Sequence, residues 1–240
     1  MQYAIVDGQR LGASPRLMGT CPICGAVMTP KCGRFRVEHW AHPPGSVDHR
    51  WEPETEWHRN WKGCFPVECQ EIVHRASNGE RHIADVKTGH GLVLEFQHSP
   101  ISELERRSRE EFYRPMVWMV NGQRLKSDRR QFFESLRCGR LVSASPLTWV
   151  APVEECVLLQ KWADSRVHVF FDFGEIEDQG DVFRFGAPVL WASDPRSRKG
   201  KAVLQPVYRK TFLESVIKGE LLKGIFLRVL QRRARSRSRF

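Results

Sequence analysis

The segment CPICGAVMTPKCGRFRVEHWAH holds Cys21 and Cys24 with two residues between them, then His39 and His42 at the same spacing. Two thiolates and two imidazoles are the ligand set of a closed tetrahedral Zn²⁺ site, and four protein ligands leave no open position, so the expected zinc is structural. Gly25 lets the chain turn back beneath the metal, and Cys32, between the two pairs, can replace one histidine. A second set of residues is acidic and basic. Glu54, His58 and Lys62 recur at i, i+4 and i+8, which on a helix makes one polar stripe. Asp85 interrupts the apolar run RHIADV, and in LVLEFQHS the polar Glu95 and Gln97 alternate with Leu94 and Phe96. Two carboxylates in such apolar surroundings repel each other and lose hydration unless a cation lies between them. Hard divalent ions prefer oxygen ligands, which makes Asp85 and Glu95 candidate ligands for Mg²⁺ or Mn²⁺.

These residues need elements to hold them. Pro53 opens a helix that carries the Glu54 stripe, with Trp57 and Trp61 beside it able to face a core. PVECQEIVHR has strand character and RHIADV is a second strand. A turn through Thr88-Gly89-His90-Gly91 leads to a third, and a hairpin joining the last two brings Asp85 beside Glu95. Ser102 and Glu105 form a capping box for a helix with Ile101, Leu104 and Phe112 on its buried side. Glu105, Arg109 and Tyr113 form a second polar stripe on it, and MVWMV is a strand ahead of Asn121-Gly122. The order is helix, three strands, helix, strand.

Around that core, Tyr3–Val6 reads as a short strand closed by Asp7-Gly8, and residues 17–50 are too poor in apolar periodicity to fold without a metal. Residues 121–150 give a turn, a charged helical piece and an apolar run. Beyond them come a helix from Val153 to Trp162 and the strands VHVFFDF and DVFRFGAPVLWA. An amphipathic helix over 207–233 has Phe212, Val216, Leu221, Ile225 and Val229 on one face, with Gly219 and Gly224 able to interrupt it. The expected division is a zinc segment at 1–50, a core at 51–125, an α+β extension at 126–206, and an amphipathic helix with a basic tail at 207–240.

The motifs in this order resemble the competence protein CoiA-like nucleases of the PD-(D/E)XK superfamily. CPICG and HWAH match that family's zinc segment, and Glu54, His58 and Lys62 its Glu-x-x-x-His-x-x-x-Lys helix. Asp85 matches its acidic strand, Glu95 to Ser99 its EFQxS strand, and Arg109 and Tyr113 its Arg-x-x-x-Tyr helix end. The resemblance covers roughly residues 20–120. It implies an α/β fold with a restriction-endonuclease-like core and an Mg²⁺-dependent nuclease acting on DNA. Asp85 and Glu95 would hold the ion with Glu54 close by, Gln97 would orient the attacking water, and His58 and Lys62 would touch the scissile phosphate. The superfamily signature has lysine where this chain has Gln97, while the CoiA-like pattern itself has glutamine; Lys62 or Lys87 can supply the missing charge. DNA uptake and processing, or anti-phage defence, is the implied setting, with a partner ATPase or helicase docking on the C-terminal half and an oligomer possible. The alternative is a nucleic-acid-binding or partner-binding module with a degenerate nuclease fold.

Composition bounds these readings. In 240 residues, 41% are hydrophobic and 28% charged, which excludes wholesale disorder and fibrous repeats. No apolar run is long enough to cross a bilayer, and MQYAIVDGQR lacks the pattern of a secretory signal. The seven cysteines read as metal chemistry rather than a disulfide framework, and the expected compartment is the cytoplasm. Net charge is +10, and residues 196–240 hold 14 Lys or Arg against Glu214 and Glu220, so the basic character belongs to the C-terminus. Such a tail points to a polyanionic partner such as nucleic acid.

Overall fold

Asp7 and Gly8, both at positive φ, turn the chain between β1 (Tyr3–Val6) and β2 (Gln9–Gly12). The computed structural model describes residues 1–33, 36–43, 54–75, 79–174, 185–195, 197 and 200–224. It divides into two compact units, Met1–Lys87 and Thr88–Phe240, a boundary inside the stretch 51–125 that the sequence reads as one core. Both units are mixtures of helix and strand.

In the first unit β1 and β2 join β3 (Gly19–Thr20), β4 (Val27–Gly33) and β5 (Arg36–Ala41) in an antiparallel sheet of order β2-β1-β3-β4-β5. Its core is small: Met1, Ala4, Val6, Ala13, Cys21, Ile23, Met28 and Trp40 are buried together, with Cys32, Val73 and Ile83 packed against them. Residues 17–50 thus hold more strand than their composition indicated, and a core accompanies the cysteines. Helix α1 (Glu56–Lys62) is capped by Thr55, whose hydroxyl accepts from the His58 amide. A single 3-10 turn leads to β6 (Gln70–Arg75), antiparallel to β7 (Arg81–Lys87).

The second unit has seven strands in the order β10-β11-β14-β13-β12-β9-β8. Strands β8 (Val93–Gln97), β9 (Met116–Asn121) and β12 (Val169–Asp172) are parallel, and α2 (Glu103–Phe112) makes the β8-to-β9 crossover. All residues of β8, β9 and β12 are buried, as in sheets covered on both faces. Helix α3 (Lys126–Cys138) follows β9 and packs against β11 (Leu147–Pro152) after the short β10 (Arg140–Ala144). Phe132 meets Phe173 and Phe171 in tilted ring contacts with centroids 4.6 and 5.6 Å apart, which ties α3 to the sheet. Then come α4 (Val157–Trp162), shorter than the expected Val153 to Trp162, β13 (Val189–Ser193) and β14 (Lys201–Tyr208). The amphipathic stretch is α5 (Arg209–Ile217), a break at Gly219, and α6 (Leu221–Gly224). The basic tail with Ile225 and Val229 lies outside the described residues, as do Pro53 and the first part of DVFRFGAPVLWA. Among the described residues no helix is long and apolar enough to cross a membrane.

Helix α2 corrects the sequence pattern. Leu104, expected inside, is 82% exposed, while Arg106 and Glu110 are 1% and 3% exposed. The reason is a fully paired polar network. Glu110 accepts from Arg106, Trp118 Nε1, Ser165 Oγ and the Arg166 amide, and Arg106 also meets Asp164 and lies over the Trp162 ring. A buried charged pair is tolerable when its hydrogen bonds are complete, and this one turns α2 so that Leu104 faces outward.

Candidate functional site

The cysteine turn brings together side chains that could hold a metal ion. Gly25, at φ 73°, donates its amide to the Cys21 carbonyl, and the Cys21 amide donates to Ala26 O. The Ile23 amide points at Cys21 Sγ at 3.4 Å. Cys24 Sγ lies 3.5 Å from His42 Nε2, and the ligand atoms of Cys21, Cys24 and His42 fall within 4.8 Å of one another. Burial pushes the Cys21 thiol up, opposed by the Cys24 and Ile23 amides, so a thiolate here gains from a bound cation. Two sulfurs and an imidazole suit Zn²⁺. His39, expected as the fourth ligand, is not in the group: its Nδ1 is 2.8 Å from Val37 O. It sits within strand β5, which ends at Ala41, whereas His42 lies just beyond the strand. Cys32 is also outside the group and packs on the small core instead.

Helix α1 turns its polar stripe inward. His58 and Lys62 are 5% and 2% exposed and share that face with Trp61. His58 Nδ1 is held at 2.9 Å from the capping Thr55 hydroxyl. Lys62 Nζ is ion-paired to Glu54 and donates to Glu71 Oε1 at 2.9 Å. Glu54, just ahead of the helix, also meets Arg59 at 3.3 Å. The expected contact of His58 and Lys62 with a phosphate is therefore closed in this conformation, because both side chains are packed into the unit.

Glu71 belongs to none of the motifs in the sequence, yet it sits at the centre of this ion-paired group. It has φ 45°, rare for a non-glycine residue, and lies across from Asp85 between the register pairs Gln70↔Val86 and Ile72↔Ala84. Its oxygens accept from the Gln2 amide at 2.8 Å and the Tyr3 amide at 3.1 Å. Burial raises its pKa, but Lys62, with help from the N-terminal amine and the Gln2 amide, outweighs that and holds the carboxyl below its ordinary value. For Lys62 burial pulls downward, and Glu71, Glu54 and Asp85 together hold the ammonium above the usual lysine range. The sequence signal was available, since Glu71 interrupts a strand just as Asp85 does. Asp85 itself is half-buried on β7, on the face it shares with Arg81 and Ile83, and Arg81 donates to Ile23 O at 2.6 Å. That bond ties the cysteine turn to the strand carrying Asp85.

In the second unit Glu95 is 1% exposed and bonds Arg109 at 2.8 Å, while Arg109 also reaches Glu105 at 3.0 Å. Of the stripe expected on α2, Glu105 and Arg109 are joined and Arg109 holds Glu95, while Tyr113 lies just past the helix. Gln97 is buried and its Nε2 donates to Ser99 O at 2.8 Å. Tyr113 is buried and caps α2 through its amide, which donates to Arg109 O. Asp85 and Glu95 fall in different units, each with a basic side chain of its own unit nearby. Among the described residues the Cys21, Cys24 and His42 group is the one cluster of three metal-binding side chains. In comparisons with known proteins, no family model, curated protein or solved structure matches this chain.

Proposed function

We propose that this chain is a metal-dependent nuclease that hydrolyses phosphodiester bonds, with DNA as substrate, as its resemblance to the CoiA-like PD-(D/E)XK nucleases implies. The observation that carries the reading is the element order α1, β6, β7, β8, α2, β9, with Glu54 just ahead of α1, Asp85 on β7, Glu95 and Gln97 on β8, and Arg109 on α2. Asp85 and Glu95 would hold the divalent ion, which when bound polarises the phosphate and lowers the pKa of the attacking water. Gln97 orients that water through its amide. Lys62 acts behind this layer, fixing Glu54 and Glu71 and placing positive charge near Asp85. The cysteine turn braces β7 through Arg81.

The test is cleavage of single- and double-stranded DNA and RNA in Mg²⁺, Mn²⁺ or EDTA by the wild type and by Asp85→Asn. Asp85→Asn keeps size and removes the charge an ion needs, so cleavage should fall by orders of magnitude with folding intact. Glu95→Gln should also lose cleavage, but it weakens the bond to Arg109, so its folding must be measured alongside. Full activity in a folded Asp85→Asn variant, or activity indifferent to EDTA, overturns the proposal. A nucleic-acid-binding module without catalysis is then the better reading, and the burial of His58 and Lys62 is the observation that favours it.

A further inference from the structure

The parallel strands β8 and β9 end beside a cleft that borders the proposed nuclease site at Gln97 and extends from it to side chains which that reading leaves without a role. Ligands of open α/β sheets bind outside the carboxyl ends of parallel strands, where connections diverge. Here those ends supply His98 and Ser99 after β8 and Asn121 at the end of β9, and the cleft is completed by Arg124 and Asp128 near the start of α3 and Lys161 on α4. Two cations from separate elements thus converge on one concave site. Their internal counter-ion is Asp128, 5% exposed, which also takes a hydrogen bond from the Leu125 backbone at the start of α3. Burial raises the Asp128 carboxyl, and Arg124 and Lys161 oppose that rise, so both cations act on this carboxyl.

The neutral donors are also fixed. Asn121 Oδ1 accepts from the Gln123 amide at 2.8 Å, which leaves Nδ2 as the end 3.0 Å from His98 Nδ1. An amide nitrogen only donates, so Nδ1 accepts and the neutral ring carries its proton on Nε2. Arg124 brings a planar fork suited to phosphate oxygens, Lys161 a point charge, and Ser99 a hydroxyl. With one acid against two bases, the formal charge of these side chains favours an anion.

We propose that this cleft binds a phosphate group, either a terminal phosphomonoester or a backbone phosphodiester of a nucleic acid. The site does not require cleavage, and binding measured in EDTA separates its failure from failure of the nuclease reading. The full chain would be titrated in EDTA with inorganic phosphate, following the His98 ring resonances, and then with matched oligonucleotides bearing a 5′-phosphate or a 5′-hydroxyl. Arg124→Gln and Lys161→Gln should each weaken phosphate binding about tenfold, the scale of one lost charge-assisted contact. Asp128→Asn, which keeps an acceptor for the helix start, should tighten it, an opposite sign that misfolding does not produce. Displacement of phosphate by the 5′-phosphorylated strand alone assigns a terminal phosphate; equal displacement by both strands assigns the backbone. Absence of saturable phosphate binding, unmoved His98 resonances, or affinities unchanged in all three variants overturns the proposal.

Discussion

Replacing Lys62 with methionine keeps most of the side-chain volume and removes the ammonium that is ion-paired to both Glu54 and Glu71. Their side chains are 5% and 7% exposed and Lys62 is 2% exposed. Deleting one partner of a buried ion pair costs about 3–5 kcal/mol, because the other charge stays buried without compensation. Two carboxylates are involved, but Glu54 keeps Arg59 at 3.3 Å, so the loss concentrates on Glu71 and the total should stay near that range. Against a typical stability of about 5–15 kcal/mol this is a large fraction, readable by urea denaturation through the protein's 8 tryptophans.

The pH dependence carries the sign. In the wild type the Glu71 carboxyl is depressed, so its contribution is present above the unfolded value of about 4.3 and is lost as pH falls through the lower folded value. In Lys62→Met burial is left without its chief opponent, and the Glu71 carboxyl rises above the ordinary range. Protonation then relieves the variant, and the gap to wild type narrows on acidification. Exchange of the Gln2 and Tyr3 amides, both donors to Glu71, should quicken at neutral pH. Adding Glu71→Gln should recover part of the loss. A penalty below about 1 kcal/mol, or a gap that widens in acid, refutes the idea that a buried cation holds this unit together.

Two further outcomes are expected. Elemental analysis of the purified protein should find about one Zn²⁺ per chain, and Cys24→Ser should lose it while amide exchange in β7 quickens through the Arg81 bond to Ile23; a metal-free protein with unchanged β7 protection removes the metal from this account. Deleting residues 232–240 removes five arginines, so the slope of log affinity against log salt for double-stranded DNA should become shallower by up to about 4.5; an unchanged slope shows that the tail does not touch the polyanion.

Local signals were legible where the chain solves its own boundary problem. Asp7-Gly8 marks the turn after β1, and Ser102 accepts from the Glu105 amide at 3.1 Å as the capping box requires. The strands around Asp85 and Glu95 lie where their apolar runs place them. Partners distant in sequence were not legible. Arg106 and Glu110 look like a surface pair until Asp164 and Ser165, more than 50 residues on, enclose them. The break after α5 was signalled by Gly219 but not its cause. The residue has φ 69°, a Cβ there would lie 2.7 Å from His90 Cγ, and His90 Nε2 is 3.1 Å from the Ile217 carbonyl.

Carboxylates in apolar strands, such as Asp85 and Glu95, need a cation close by. The protein meets much of that need with its own side chains, Lys62 in the field of Asp85 and Arg109 against Glu95. Neither cation is committed to one acid. Lys62 serves Glu54 and Glu71 as well as Asp85, and Arg109 serves Glu105 as well as Glu95. This sharing changes the energetics of recruiting an acid to a ligand. If Glu95 bonded a single guanidinium with no other partner, turning it to an ion would strand a buried positive charge, at the several kcal/mol that breaking such pairs costs. With Glu105 already 3.0 Å from Arg109, the guanidinium stays paired when Glu95 turns away, and only the exchange of one acceptor for another is lost. The same holds for Asp85, since Lys62 keeps two carboxylates whatever Asp85 does. Asp85 and Glu95 thus each have a cationic neighbour within the protein, and size-preserving removal of their charge, with folding measured alongside, tests whether they also hold a metal.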